Sequence, residues 1–165
     1  MSDWVSQALT HDHDVSQFDS GNAALDHWLQ SDALRAHRAG ISRTSVWTAA
    51  NDRAVVAYYA VAPTQVARID LPSRSLSSGY SQIPGYLIGR LALDKSLHGQ
   101  GLGTQLLLDA LERIVDAAER AGGPVIVVDA IDDAAHRFYR QHDFRAIEHS
   151  NRLVMKLATA AALVG

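Results

Sequence analysis

The chain has 165 residues, 47% hydrophobic and 20% charged, the balance of a soluble globular protein long enough to bury a core. It has no cysteine, which excludes disulfides, thiolate metal sites and a cysteine nucleophile. The net charge of −3 argues mildly against a polyanionic partner, but its distribution matters more than its sum. Residues 1–32 carry six Asp and no Lys or Arg, whereas residues 33–93 carry seven Arg against only Asp52 and Asp70. Arginine is the better fork for phosphate, so this middle stretch reads either as a phosphate-binding face or as ordinary surface arginines.

No basic segment followed by an apolar run marks a secretory signal, and no apolar run approaches the roughly 18 residues of a membrane span. The apolar tail Ala158 to Gly165 is far too short for one. A cytoplasmic protein with no membrane contact is expected. No repeat, low-complexity tract or linker splits the chain, so a single domain over 1–165 is expected.

The order of elements begins with a strand. A helix follows near Ser20, with Ser20 or Asn22 as its cap and Leu25, Trp28 and Leu29 on one face. A second helix runs from Ser31 to Arg38 and stops at Gly40. Thr44 to Ala50 reads as a strand, Asn51-Asp52 as a turn, and Ala54 to Val66 as a long β-rich run in which Pro63 suggests a strand end or bulge. Ile69 to Pro84 is a loop rich in Pro, Ser and Gly, and Tyr86 to Leu93 is a strand. Gly103 to Ala121 is an amphipathic helix with Leu107, Leu111, Ile114, Val115 and Ala118 on its apolar stripe. Gly122-Gly123-Pro124 ends it. Val125 to Val128 is continuously apolar, as a strand buried on both faces requires. Asp132 or Asp133 caps a helix through His142, and strands near Phe144 to Glu148 and Arg152 to Leu157 close the chain. This order implies an α/β (α+β) fold with a mixed sheet and helices on both faces.

The segment Leu91-Ala-Leu-Asp-Lys-Ser-Leu-His-Gly-Gln-Gly-Leu-Gly-Thr104 carries the chemistry. A strand ends, a glycine-rich turn follows, and a long helix starts. Gly99, Gly101 and Gly103 lack a Cβ, so backbone N–H groups there can approach a ligand. The helix N-terminus adds positive partial charge, and together they suit a pyrophosphate. The lysine of a P-loop is missing, and GxGxG is not the GxGxxG of a dinucleotide fold.

This run resembles the acetyl-CoA loop of the GCN5-related N-acetyltransferase (GNAT) family, written [QR]xxGx[GA]. Gly101 and Gly103 match its small positions; His98 stands where Gln or Arg is usual. A second stretch, Asp132-Asp-Ala-Ala-His-Arg-Phe-Tyr-Arg-Gln-His-Asp-Phe144, resembles the family's "A…FY…GF" helix, with Asp143 where Gly is usual. Read on spacing alone, Tyr139 is better taken as a core aromatic paired with Phe138. The resemblance implies a central, mostly antiparallel sheet with a splayed strand pair that holds the coenzyme. It implies that Leu91, Ala92 and Leu93 hold the pantetheine arm and acetyl carbonyl. His98, Gly99, Gln100, Gly101, Leu102, Gly103 and Thr104 would hold the pyrophosphate, and Ala130, Phe138 and Tyr139 would complete the acetyl-CoA site. Leu93 N–H would stabilise the oxyanion, and Tyr139 would protonate the leaving thiolate. Direct attack by an amine needs no protein nucleophile.

The front of the chain is more specific. Phe18-Asp-Ser-Gly-Asn-Ala-Ala-Leu-Asp-His-Trp-Leu29, Gly40-Ile-Ser-Arg-Thr44, Val55-Val-Ala-Tyr-Tyr-Ala-Val61 and Gly89-Arg-Leu-Ala-Leu93 resemble the TacT-type branch, the acetyltransferase toxins of bacterial toxin–antitoxin pairs. That branch implies acetylation of the α-amine of aminoacyl-tRNA, a homodimer, and a ribbon-helix-helix antitoxin as partner. Arg35, Arg38, Arg43, Arg74 and Arg90 are then the candidates for tRNA phosphates, with internal salt bridging as the competing reading. A small-molecule or protein N-acetyltransferase, and a non-catalytic acetyl-CoA sensor, remain alternatives. His11-Asp-His-Asp14 has metal-ligand residue types but no further partner in sequence, so no metal is expected.

Overall fold

The structure, a computed structural model, describes residues 3–72 and 79–165. Its chain forms two compact units, one of Met1–Ala62 with Arg90–Leu107 and one of Pro63–Gly89 with Leu108–Gly165.

The first unit opens with β1 (Trp4–Ala8), which pairs antiparallel with β2 (Arg43–Ala49) from Trp4↔Ala49 to Ala8↔Ser45. Between them lie α1 (Ala23–Ser31) and α2 (Ala33–Ala39). Asn22 starts α1 by accepting from Leu25 N at 3.1 Å, and Ser20 donates through N and Oγ to Asp26 at 3.0 and 2.6 Å. These side chains satisfy and fix the groups that a helix start leaves open. Gly40 ends α2 in the left-handed conformation, φ 72°, where glycine carries no Cβ penalty. Leu29, Ala33, Phe18, Val46, Tyr58 and Ala92 form a buried cluster, with Leu25, Trp28 and Leu34 packed against it. Five consecutive residues of β2, Thr44 to Thr48, are buried. Since successive side chains point to opposite faces, both faces of β2 are covered.

β3 (Ala57–Ala67) pairs antiparallel with β2 from Arg43↔Val61 to Trp47↔Ala57. Pro63 does not end this strand. The β2 ladder stops at Val61, so the proline falls beyond it, where a missing N–H is tolerated. β4 (Gln82–Leu93) runs antiparallel to β3, as the bonds Asp94 N to Val56 O and Arg68 N to Ser81 O show. It starts earlier than the expected Tyr86.

In the second unit β4 pairs parallel with β5 (Val125–Asp129), from Gly85↔Val125 to Ile88↔Val128. Gly85 is required there, because a Cβ would lie 2.5 Å from the Val125 carbonyl oxygen. The parallel connection passes through α3 (Leu102–Ala121), whose buried stripe is Leu106, Leu107, Ala110, Leu111, Ile114 and Ala118. Val115, expected on that stripe, is only half-buried. All four residues from Val125 to Val128 are buried, which accounts for their continuous apolar run. After α4 (Asp133–Gln141), capped by Asp132, come β6 (Arg145–Ala146) and β7 (Arg152–Lys156). β7 pairs antiparallel with β5 and β6. β6 is a two-residue strand, shorter than expected, because the chain turns at Glu148 to Ser150.

The apolar tail, given no structure by its sequence, is a helix, α5 (Leu157–Val164). It is anchored at its first residue by Leu157 N donating to Pro124 O at 2.8 Å. The strand order is β1-β2-β3-β4-β5-β7-β6. It is a mixed, mostly antiparallel α/β sheet, with β4–β5 as its parallel pair.

Candidate active site

In the first unit the end of β4 meets the glycine-rich loop. The β4–β5 ladder ends at Ile88↔Val128, but β4 continues to Leu93. Asp94 N points to β3, donating to Val56 O at 2.8 Å. Because N–H groups alternate along a strand, those of Leu93 and Leu91 point away from β3. They are fixed donors of the kind an acetyl carbonyl requires.

Asp94 then organises the turn. Its carboxylate accepts from Asp19 N at 2.9 Å and from Ser96 N and Oγ at 3.1 and 2.8 Å. Burial pushes this carboxyl up, but the hydrogen bonds outweigh it and hold it below the usual range. Lys95 pairs with Asp19 at 2.9 Å, and Gln100 Nε2 donates to Ser96 O at 3.2 Å. His98 donates from Nε2 to Leu93 O at 3.0 Å, so its ring closes the loop onto the strand.

Gly99 and Gly101 have φ of 79° and 75°, a region side chains rarely adopt. A Cβ on either would meet nothing within 4 Å, so it is the turn and not crowding that needs glycine. The space beside the loop is open. Leu102, Gly103 and Thr104 begin α3, and the N–H groups of Leu102 and Gly103 lie in the turn that a helix leaves without an intrahelical acceptor. This arrangement fits a pyrophosphate.

In the second unit α4 carries the aromatic candidates. Tyr139 is 7% exposed. It packs edge-on to Phe138 at 5.4 Å and to Phe144 at 5.5 Å between centroids. Burial pushes its phenol well above the ordinary value, so the hydroxyl keeps its proton. The Tyr139 carbonyl accepts from His142 N and Phe144 N at 3.0 and 3.1 Å, closing the helix around Asp143 at φ 69°. The position where glycine is usual is therefore left-handed here too. Ala130 is buried; its N donates to Asn151 O at 2.9 Å, and its carbonyl accepts from Asn151 Nδ2 at 3.2 Å. Asn151, which the sequence did not single out, thus fixes the end of β5.

The candidate arginines differ in their surroundings. Arg35 is ion-paired with Asp32 at 2.8 Å. Arg43 Nη1 donates to His37 O at 2.7 Å, and Arg38 is exposed. Arg90 lies 4.1 Å over the ring of Trp28. Arg74 lies outside the described residues. In the His11–Asp14 stretch, His13 Nδ1 accepts from Thr10 N and Asp14 accepts from Ser16. Among the described residues no group of three or more His, Cys, Asp or Glu is placed to hold a metal ion, and no helix is long and apolar enough to cross a membrane. Sequence reading also passed over Asp94; its Asp-Lys-Ser spacing is the signature of a side chain that closes its own turn.

Comparison with known proteins agrees with this geometry. Residues 42–146 match the family described as acetyltransferase (GNAT) domain. A "tRNA-acetylating toxin" of Mycobacterium tuberculosis is 39% identical over 153 residues, 92% of this chain and 91% of that protein. The solved structure of AtaT complexed with acetyl-methionyl-tRNAfMet has a TM-score of 0.90 at 31% identity, covering 99% of this chain and 100% of that one. A tyrosine-to-phenylalanine mutant of AtaT, bound to the C-terminus of the antitoxin AtaR and acetyl-CoA, has a TM-score of 0.84 at 29% identity, covering 98% of each chain.

Proposed function

The chain belongs to the GNAT acetyltransferase family, and we propose that it moves the acetyl group of acetyl-CoA to the α-amine of aminoacyl-tRNA and so stops translation. The observation that carries the chemistry is the pair of left-handed glycines, Gly99 and Gly101, which join the open end of β4 to the N-terminus of α3. The acceptor is supported by the relative that shares 39% of its residues over nearly the whole chain and is named for acetylating tRNA.

Acetyl-CoA supplies an activated thioester when bound. Leu91 to Leu93 are assigned its acetyl and pantetheine end, His98 to Thr104 its pyrophosphate, and Ala130, Phe138 and Tyr139 the thiol end. The α-amine has an ordinary pKa of about 7.7–8.0, so much of it is neutral at cellular pH and a strong base is unnecessary. As its nitrogen bonds to the acetyl carbon, Leu93 N–H takes the charge developing on oxygen. As the C–S bond breaks, the Tyr139 phenol gives its proton to the thiolate, whose ordinary pKa is about 8.5. The proton released by the amine goes to water, and solvent reprotonates the phenolate.

Arg35, Arg38, Arg43, Arg74 and Arg90 are assigned to tRNA phosphates. The two units are read as one acetyltransferase domain over 1–165, acting in the cytoplasm as a homodimer. Its partner is read as a ribbon-helix-helix antitoxin; an antitoxin complex is known for the similar AtaT. In a cell-free translation reaction, the protein plus acetyl-CoA is expected to stop synthesis, and fresh aminoacyl-tRNA to restart it once acetyl-CoA has been removed. Unimpeded synthesis at stoichiometric protein would refute the toxin reading.

A further inference from the structure

Arg90, Trp28 and Tyr58 form a three-layer stack within the first unit. The Arg90 guanidinium lies 4.1 Å from the Trp28 ring centroid. Trp28 in turn stacks on Tyr58, with centroids 6.0 Å apart and planes 16° apart. Tyr58 is fully buried, and its hydroxyl donates to Leu25 O at 2.7 Å, one turn before Trp28 on α1. The indole is thus clamped from below, and the guanidinium is held from below by the indole.

An aromatic face orients a cation without neutralising it. Arg35 is paired with Asp32, whereas among the described residues Arg90 is in no ion pair with a carboxylate. A guanidinium over a ring engages the π face and still has N–H donors for a second partner, and phosphate matches that fork. Arg90 also precedes Leu93 by three residues on β4, a span of about 10 Å along a strand. In an aminoacyl-tRNA whose amine reacts at Leu93, the last phosphodiester is separated from the amine by one ester and one ribose, a comparable span.

We infer that Arg90 takes the last phosphodiester of the aminoacyl-tRNA 3′ strand, and that Trp28 is the positioning residue that holds Arg90 ready for it. This rests on the reading of charged tRNA as acceptor. It makes Trp28 a contributor to acceptor specificity: small amines carry no phosphate for the stack to hold.

Steady-state transfer from acetyl-CoA to charged tRNA, measured across a salt series, tests this with Arg90→Ala, Trp28→Leu and Trp28→Phe. Arg90→Ala and Trp28→Leu are each expected to raise the KM for charged tRNA roughly tenfold and to flatten the salt dependence by about one phosphate contact. The KM for acetyl-CoA and kcat should stay near wild type. Trp28→Phe, which keeps a ring face, should recover most of the loss, and the Arg90→Ala/Trp28→Leu double variant should lose no more than Arg90→Ala alone. If Trp28→Leu does not fold, the Arg90→Ala and Trp28→Phe arms decide. A wild-type salt slope in Arg90→Ala overturns the phosphate contact. A lowered melting temperature in Trp28→Leu, with unchanged KM for tRNA and unchanged salt slope, makes Trp28 a packing residue only. No transfer by the wild type to any charged tRNA removes the acceptor reading and this inference with it.

Discussion

The Nε2 of His98 donates to the carbonyl oxygen of Leu93 at 3.0 Å, tying the glycine-rich loop to the strand end that is assigned the acetyl group. His98 stands where Gln or Arg is usual, and it bonds a main-chain carbonyl. His98→Ala should loosen the loop and raise the Kd for acetyl-CoA about three- to tenfold, the worth of one ordinary hydrogen bond. His98→Gln, whose amide can reach the same oxygen, should recover part of this. Titration calorimetry with acetyl-CoA reads both.

Tyr139→Phe keeps the ring contacts with Phe138 and Phe144 and removes only the hydroxyl. Acetyl-CoA binding should persist while kcat falls by about 10²- to 10⁴-fold. The pH dependence is a second check. Burial raises the folded-state pKa of this phenol above its ordinary value of about 10. Below that value both states keep the proton. Above it the unfolded chain releases the proton first, so stability falls as pH rises. Denaturant melts in alkaline buffer should show this loss, reduced in Tyr139→Phe.

Asp143 holds φ at 69° directly after α4, where its negative charge also faces the negative end of the helix dipole. Asp143→Gly relieves both and should stabilise the fold by about 0.5–1 kcal/mol. Thermal melts measure it, and the catalytic constants should not change.

Gly85 illustrates the opposite constraint. A Cβ there would lie 2.5 Å from the Val125 carbonyl oxygen and 2.6 Å from a Val125 methyl. Gly85→Ala must push apart the parallel pair at its first rung and should cost about 1–3 kcal/mol, read as a lower denaturation midpoint.

Much of this was legible in the sequence because local chemistry dictated it. Asn22, Gly40 and Asp132 mark helix ends through their own side chains or φ, and the α3 stripe repeats at helical spacing. The misreadings share a cause. Pro63 looked like a strand end, but the extent of β2 decides whether its missing N–H matters. The tail around α5 has no side-chain cap, and what starts it is a bond to Pro124, distant in sequence. Trp28 read as helix-face core, and it does pack on Tyr58; the cation above it comes from β4, which spacing along α1 cannot reveal. Asn151 bonds Ala130 across 21 positions and was invisible for the same reason.

The most direct test of the central claim is transfer of label from acetyl-CoA to a pool of charged tRNA by the purified protein, with Tyr139→Phe as the control. Label on the aminoacyl end, lost in the variant, is the predicted result. No label on any charged tRNA, from a protein that binds acetyl-CoA and acetylates small amines or protein N-termini, would contradict it.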